Sequence, residues 1–209
     1  MVDLKKINEE LKDKDPVEII RWSLSLNKKA IVTTNFGPHE AAILHMATQV
    51  DPKIPVVWID SGYNTPATYR FADKVIKDLN LNMNIFVPAF SKGYRDVLMS
   101  GIPDIANPLH EEFTRQVKLE PFQRAMQEMK PEVWITAIRK DQTAFRQTLD
   151  IVTTDDDGVL KVAPVFYWNE KQLEDYLAQN NLPLEKDYHD PTKVLEHREC
   201  GLHLSKKKK

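Results

Sequence analysis

Cys200 is the one cysteine among 209 residues. An internal disulfide is excluded, and a single thiolate is a poor start on a metal cage. Its neighbours suggest a nucleophile. His197, Arg198 and His203 place cationic or potentially cationic groups near the sulfur, which favours thiolate over thiol, while Glu199 opposes them. A lone cysteine in an arbitrary chain is more often a small buried hydrophobe. Here the sequence from Glu185 onward is polar and ends the chain, so a flexible tail over residues 185–209 is expected to bury little and leave the sulfur reachable.

Three further constellations could meet a ligand. Thr33-Thr34-Asn35-Phe36-Gly37 offers hydroxyls, an amide and backbone N–H groups in a strand-to-helix turn, a cradle for an oxyanion. Plain helix capping explains the same residue types about as well. Asp60-Ser61-Gly62-Tyr63 could hold a ribose or an adenine edge, with Tyr63 and Tyr69 packed against it; the competing reading is turn chemistry. Arg139, Lys140 and Arg146 surround Gln142 in a segment that follows a strand, which suits a bound sulfate or phosphate. An exposed loop with ordinary surface charge is the alternative. No Cys/His set has zinc spacing, glycine-rich dinucleotide motifs are absent, and His39 and His45 read as structural or surface residues.

The elements that must position these residues follow from the pattern of apolar residues. A charged helix is predicted over about 3–13. A second is capped by Asp15 with Pro16 and Glu18, and has Val17, Ile20, Trp22 and Leu24 as its buried stripe. Strands are predicted at Ala30–Thr34, Pro55–Ile59, Asn84–Val87 and Glu132–Ala137, with helices from Pro38 to Val50 and from Thr65-Pro66 to Leu79. Residues 91–130 read as mostly helical. Asp155-Asp156-Asp157-Gly158 turns a hairpin between 151–154 and 159–162, and Asn169 caps a last helix to about Gln179. Alternating strands and helices define an α/β, doubly wound, mostly parallel sheet with helices on both faces over residues 1–184. Ligands of such sheets bind beyond the carboxyl ends of the strands, where all three constellations fall.

A net charge of −2 gives no basic field for nucleic acid. No apolar run approaches the ~20 residues that span a bilayer, and the charged start Met1-Val2-Asp3-Leu4-Lys5-Lys6 lacks a signal-peptide core. With one cysteine besides, the expectation is a cytoplasmic protein with no membrane partner. Lys206 to Lys209 read as a solvated run.

Glu199-Cys200-Gly201-Leu202-His203 resembles the catalytic-cysteine signature of the phosphoadenylyl-sulfate (PAPS) reductases, within the adenine-nucleotide α-hydrolase-like superfamily. Thr33–Gly37 resembles that family's modified pyrophosphate loop. Asp60–Tyr63 followed by Thr65–Arg70, Lys118-Leu119-Glu120-Pro121-Phe122-Gln123-Arg124-Ala125, and Arg139 with Gln142 and Arg146 resemble further family blocks, in the family's order. The resemblance implies a sulfonucleotide substrate bound by Thr33 to Gly37, Asp60 to Tyr63, Lys118, Arg139, Gln142 and Arg146. It implies catalysis by Cys200 with Arg198 and His203, reduced thioredoxin or glutaredoxin as electron donor, no bound cofactor or metal, and a homodimer.

Three missing or shortened segments narrow what the resemblance implies. The Ser-Gly-Gly-x-Asp-Ser loop of ATP pyrophosphatases is missing, as it is in the reductases, which weighs against an ATP-dependent transferase. The insert between the family's Gly-Asp-x-His-Ser/Thr stretch and the cysteine is shortened, with Lys186-Asp187-Tyr188-His189-Asp190-Pro191-Thr192 as its remnant. The further cysteines of relatives that carry a [4Fe–4S] cluster and prefer adenylyl sulfate (APS) are absent, so no such cluster is expected. Cluster-free APS reduction and a non-catalytic sulfonucleotide module stand as alternatives. Arg21, Lys28 and Lys29 are candidates for a 3′-phosphate site.

Overall fold

The computed structural model describes residues 3–192. Helices α1 (Leu4–Leu11) and α2 (Pro16–Ser25) precede β1 (Ala30–Thr34). Then come α3 (Glu40–Val50), β2 (Pro55–Ile59), α4 (Pro66–Asp78), β3 (Asn82–Phe86), α5 (Lys92–Met99) and α6 (Leu109–Thr114). A π-helical turn (Arg115–Leu119) joins α6 to α7 (Glu120–Met129), followed by β4 (Val133–Ile135), β5 (Val152–Thr154), β6 (Leu160–Val162) and α8 (Glu170–Gln179).

Local chemistry sets the helix starts. The Asp15 carboxylate accepts from the Val17 N–H at 2.8 Å, and Glu18 reaches back to the Asp15 N–H at 3.2 Å, with Pro16 in the first turn. Asn169 and Gln172 make the same reciprocal pair on α8. On α2, Ile19 and Ile20 are buried, while Val17, Trp22 and Leu24 pack partly buried against the same core.

The six strands lie in the order β3-β2-β1-β4-β6-β5. All pairs are parallel except the β5–β6 hairpin. The chain first moves outward from β1 to β3, and α3 and α4 pack in the large core on one face with Val32, Val56 and Ile135. To add β4 on the other side of β1 it must reverse direction. Right-handed crossovers then require the connecting helix to lie on the opposite face. That helix is α7, which packs Phe122, Ala125 and Met126 against Ile31, Val57 and Trp134. The reversal point lies between β1 and β4, the position beyond whose carboxyl ends ligands of doubly wound sheets bind.

Three predicted boundaries differ. β3 begins and ends earlier than Asn84–Val87, pairing Pro55 with Asn82 and Ile59 with Phe86. It is an edge strand, so it accommodates the exposed Asn82 and the half-buried Asn84 without disturbing the ladder. α3 starts two residues after Pro38, because Pro38 and His39 complete the turn from β1. β4 is the shorter span Val133–Ile135, although the Thr136 N–H still bonds to the Val162 carbonyl at 2.9 Å.

Replacing Asp15 by Ala removes the side-chain half of the α2 cap, the bond from the Val17 N–H, and should cost about 1 kcal/mol of unfolding free energy. Urea titration checks this; a loss below about 0.3 kcal/mol would contradict the cap's contribution.

Candidate active site

The loop after β1 is built on its own side chains. The Thr34 hydroxyl accepts from the Phe36 N–H at 3.0 Å, and the Asn35 amide oxygen accepts from the Gly37 N–H at 2.9 Å. Phe36 lies in left-handed backbone space, at φ 51°, which a bulky residue adopts only under tertiary constraint. The constraint is packing. Phe36 is fully buried, edge-on to Trp58 at 4.9 Å and near Phe71 at 6.4 Å. Thr33 faces the opposite side, where the Trp134 indole N–H donates to its hydroxyl at 2.8 Å. The β1 loop is thus pinned to β2 through Phe36 and to β4 through Thr33.

After β2, the turn gathers on one carboxylate. Asp60 Oδ1 accepts from the Gly62 N–H at 3.0 Å, the Asn64 amide at 2.9 Å and the Tyr69 hydroxyl at 2.8 Å. Gly62 holds φ 79°, where a Cβ would be strained. Burial first, and the Asp60 hydrogen bond second, push the Tyr69 phenol up to about 12. Tyr63 diverges from Tyr69. Its N–H bonds to the Ser61 hydroxyl at 3.1 Å, its ring meets Phe113 at 5.2 Å, and its hydroxyl donates to Asp96 at 2.6 Å. Asp96 is shared with Lys92, and Arg95 approaches the Tyr63 oxygen at 3.5 Å.

After β4, Gln142 organises the basic segment. Its Oε1 accepts from the Arg139 N–H at 2.9 Å and from the Arg146 guanidinium. Arg146 is buried, and the Arg139 side chain is 11% exposed and paired with Asp141 at 3.1 Å. Arg139 also reaches the β1 loop electrically. Burial, and next the Arg139 guanidinium, hold the His39 imidazole below its ordinary value, while Glu170 and Glu174 oppose them. His39, Glu170 and Glu174 bring ligand atoms within 4.8 Å of one another. With Arg139 and Lys186 acting on the same imidazole, this is a mixed-charge network with no surplus of negative charge to draw a cation.

Lys118 stands apart from these turns. Pro121 has no N–H to return to the Val117 carbonyl, and the helix widens there, the Glu120 N–H bonding five residues back to Arg115. Lys118 sits on that widened turn. It donates to Asp190 at 2.5 Å and to the Thr192 hydroxyl at 3.1 Å.

Thr33 to Gly37, Asp60 to Tyr63 and Arg139 to Arg146 therefore lie at neighbouring carboxyl ends, as the register of β2, β1 and β4 requires. Three sequence-based expectations change or fall outside. Arg21, Lys28 and Lys29 line a groove with Asp51 and Pro55 at the amino ends of β1 and β2. That is the opposite edge of the sheet, so these residues are withdrawn as 3′-phosphate contacts. The segment from Glu185 is not uniformly exposed: Pro191 and Thr192 are buried and the Asp190 side chain is only 8% exposed, with Lys118 supplying a charge partner that polarity alone does not reveal. Cys200, Arg198 and His203 lie outside the described residues, as does the expected tail beyond Thr192. Trp134, which orients Thr33, was missed; an aromatic in a strand reads as core.

A doubly wound sheet with an arginine pair and hydrogen-bonding turns at its reversal point is the architecture of nucleotide-binding α/β proteins. The phosphoadenosine phosphosulfate reductase domain family matches residues 29–190, and the chain belongs to that family. It is 34% identical to a phosphoadenosine 5′-phosphosulfate reductase of a Synechococcus species, over 86% of this chain and 78% of the relative. A Synechocystis reductase of the same name is 31% identical, over 97% and 91%. The crystal structure of a PAPS reductase from Candida auris, a phosphate complex, superposes with a TM-score of 0.76 at 23% identity, covering 89% of this chain and 90% of that one. Among the described residues no helix is long and apolar enough to cross a membrane.

The raised Tyr69 phenol favours the protonated, hydrogen-bonded form in the folded state. Its stabilising contribution is present below the unfolded value of about 10 and is lost as the pH rises toward about 12. In an alkaline absorbance titration near 295 nm, Tyr69→Phe should remove a phenolate step centred near 12. Removal of a step near 10 would contradict the Tyr69–Asp60 bond.

Proposed function

We propose that this chain reduces 3′-phosphoadenylyl sulfate to sulfite and adenosine 3′,5′-bisphosphate, with Cys200 as nucleophile. The observation that carries the reading is the Arg139–Gln142–Arg146 cluster beside the Thr33–Gly37 loop. An anionic thiolate must approach an anionic sulfonate, and the reaction needs fixed positive charge where the two meet. Gln142 holds one guanidinium and one backbone N–H from that cluster in place before substrate arrives.

The Cys200 thiolate attacks the sulfonate sulfur. A bond forms between the two sulfurs, the bond from sulfur to the bridging oxygen breaks, and the nucleotide leaves with that oxygen and its electron pair. S-sulfocysteine remains. A thiolate of reduced thioredoxin or glutaredoxin then attacks Cys200 Sγ, and sulfite departs with the electron pair. The donor's second thiol, attacking that mixed disulfide, returns Cys200 as a thiolate. The donor becomes a disulfide, and its two electrons account for the reduction of sulfate-level sulfur to sulfite. Because Cys200 is the chain's single cysteine, the resolving thiol must come from outside it. The same reading takes the working form as a cytoplasmic homodimer without an iron–sulfur cluster, in assimilatory sulfate reduction.

Incubation with PAPS and no reductant should add one sulfo group, about 80 Da, to Cys200 by intact and peptide mass. An adduct with adenylyl sulfate alone would move the substrate assignment to APS, and no adduct with either would remove the reductase reading. Cys200→Ser should keep nucleotide affinity within about twofold and make no sulfite. Loss of affinity in that variant would give the cysteine a structural role instead.

A further inference from the structure

The tract 187–192 is fastened to the domain at two separate places. At the start of α4, Thr65 caps the helix by accepting from the Thr68 N–H at 3.0 Å, and its hydroxyl donates onward to the Asp187 carbonyl at 2.8 Å. The Thr68 hydroxyl lies 3.3 Å from the same carbonyl. At the π-helical turn, Lys118 and Asp190 form an ion pair with side chains only 12% and 8% exposed. The Asp190 Oδ1 accepts in addition from the Thr192 N–H at 3.0 Å and the Thr192 hydroxyl at 2.7 Å. Burial by itself pushes the Asp190 carboxyl up. The Lys118 charge and hydrogen bond, with the two bonds from Thr192, outweigh it and hold the group below its ordinary range. The carboxylate therefore stays ionised throughout neutral pH, and the contribution of its folded-state bonds is lost only as the pH falls below the usual carboxylate range.

This arrangement does not resemble an incidental surface pair. Exposed pairs such as Lys74–Asp78 or Lys171–Asp175 join neighbours one helical turn apart and contribute little. Lys118 and Asp190 are 72 residues apart, their side chains are almost wholly buried, and the bond between them is charge-assisted. Breaking one side of such a pair leaves a buried charge without its partner. The connection also has a definite chemical consequence. Asp190 precedes Cys200 by ten residues, which extend to at most about 34 Å. Fixing Asp190 shortens the range over which the nucleophile must search for the bound sulfonate, and a restricted search raises the effective concentration of an attacking group.

We propose that Asp190 is a positioning residue for the sulfur transfer: clamped by Lys118 on the π-helical turn, it fixes the point from which the cysteine-bearing segment departs. The role rests on the reductase reading and concerns the rate of attack, not nucleotide affinity. Asp190 touches neither the Arg139–Arg146 cluster nor the Asp60 turn through any hydrogen bond on the structure's described residues.

The test is single-turnover S-sulfonation of Cys200 by saturating PAPS in the full chain, with Lys118 left intact. Asp190→Ala should slow adduct formation by about tenfold or more. The dissociation constant for adenosine 3′,5′-bisphosphate should stay within about twofold, and so should the rate of Cys200 alkylation by iodoacetamide. Asp190→Glu should recover at least half of the logarithmic loss. Should Asp190→Ala fail to fold, Asp190→Asn, which keeps the shape and removes the charge, is expected to give the same split between rate and affinity. Unchanged adduct rates, or a rate loss matched by an equal loss of nucleotide affinity, would overturn the positioning role. If the unaltered chain forms an adduct and the variants form it equally fast, only the positioning role fails. If the unaltered chain forms none, the reductase reading fails and the positioning role goes with it.

Discussion

The site depends on one constraint of chain topology: β1 lies between β2 and β4, and all three run the same way. Their carboxyl ends therefore meet, and the turns that follow them bring Thr33 to Gly37, Asp60 to Tyr63 and Arg139 to Arg146 to one edge of the sheet. The arrangement is enforced from both faces. Phe36, held in left-handed backbone space, buries its ring against Trp58 and Phe71 on one side. Trp134 fixes the Thr33 hydroxyl on the other. A loop that holds a bulky residue in left-handed backbone space is unstable unless something else determines its shape. Here the two cores do so.

The electrostatics follow from the same placement. Arg146 is buried yet satisfied by Gln142, and Arg139 is fixed through both its N–H and its guanidinium. Desolvated guanidinium groups held by hydrogen bonds act on an oxyanion at lower effective dielectric than surface lysines do, and they do not have to be reoriented when it arrives. The Lys118–Asp190 pair extends this logic to the chain's end. A charge that could not be buried alone is buried as a pair, and it fastens residues 187–192 to the π-helical turn that leads into α7.

Much of this was legible in the residues. Ala30–Thr34 and Pro55–Ile59 are strands with the bounds that their apolar runs suggest, and the Asp15/Glu18 and Asn169 caps start the helices they signal. The reason is local: each pattern carries its own hydrogen bonds or its own buried face. The Arg139–Gln142–Arg146 spacing was legible as a cluster because three residues of a short loop cannot be far apart. What escaped was non-local. Nothing in the text of residues 185–192 names a lysine 72 positions earlier as the partner of Asp190, and Trp134 gave no sign that its N–H serves Thr33. Arg21, Lys28 and Lys29 misled for the complementary reason, since composition shows cations without showing at which end of a strand they stand. β3 was shifted because an edge strand tolerates polar residues that a buried one would not.

The central claim is that a sulfonucleotide occupies the carboxyl edge of β1, β2 and β4. Amide hydrogen exchange, with and without saturating adenosine 3′,5′-bisphosphate, tests it most directly. The account predicts slowed exchange concentrated at residues 33–37, 60–63 and 139–146. Protection confined to the amino edge, around Arg21, Lys28 and Lys29, or no protection on a chain shown to bind the nucleotide, would contradict it.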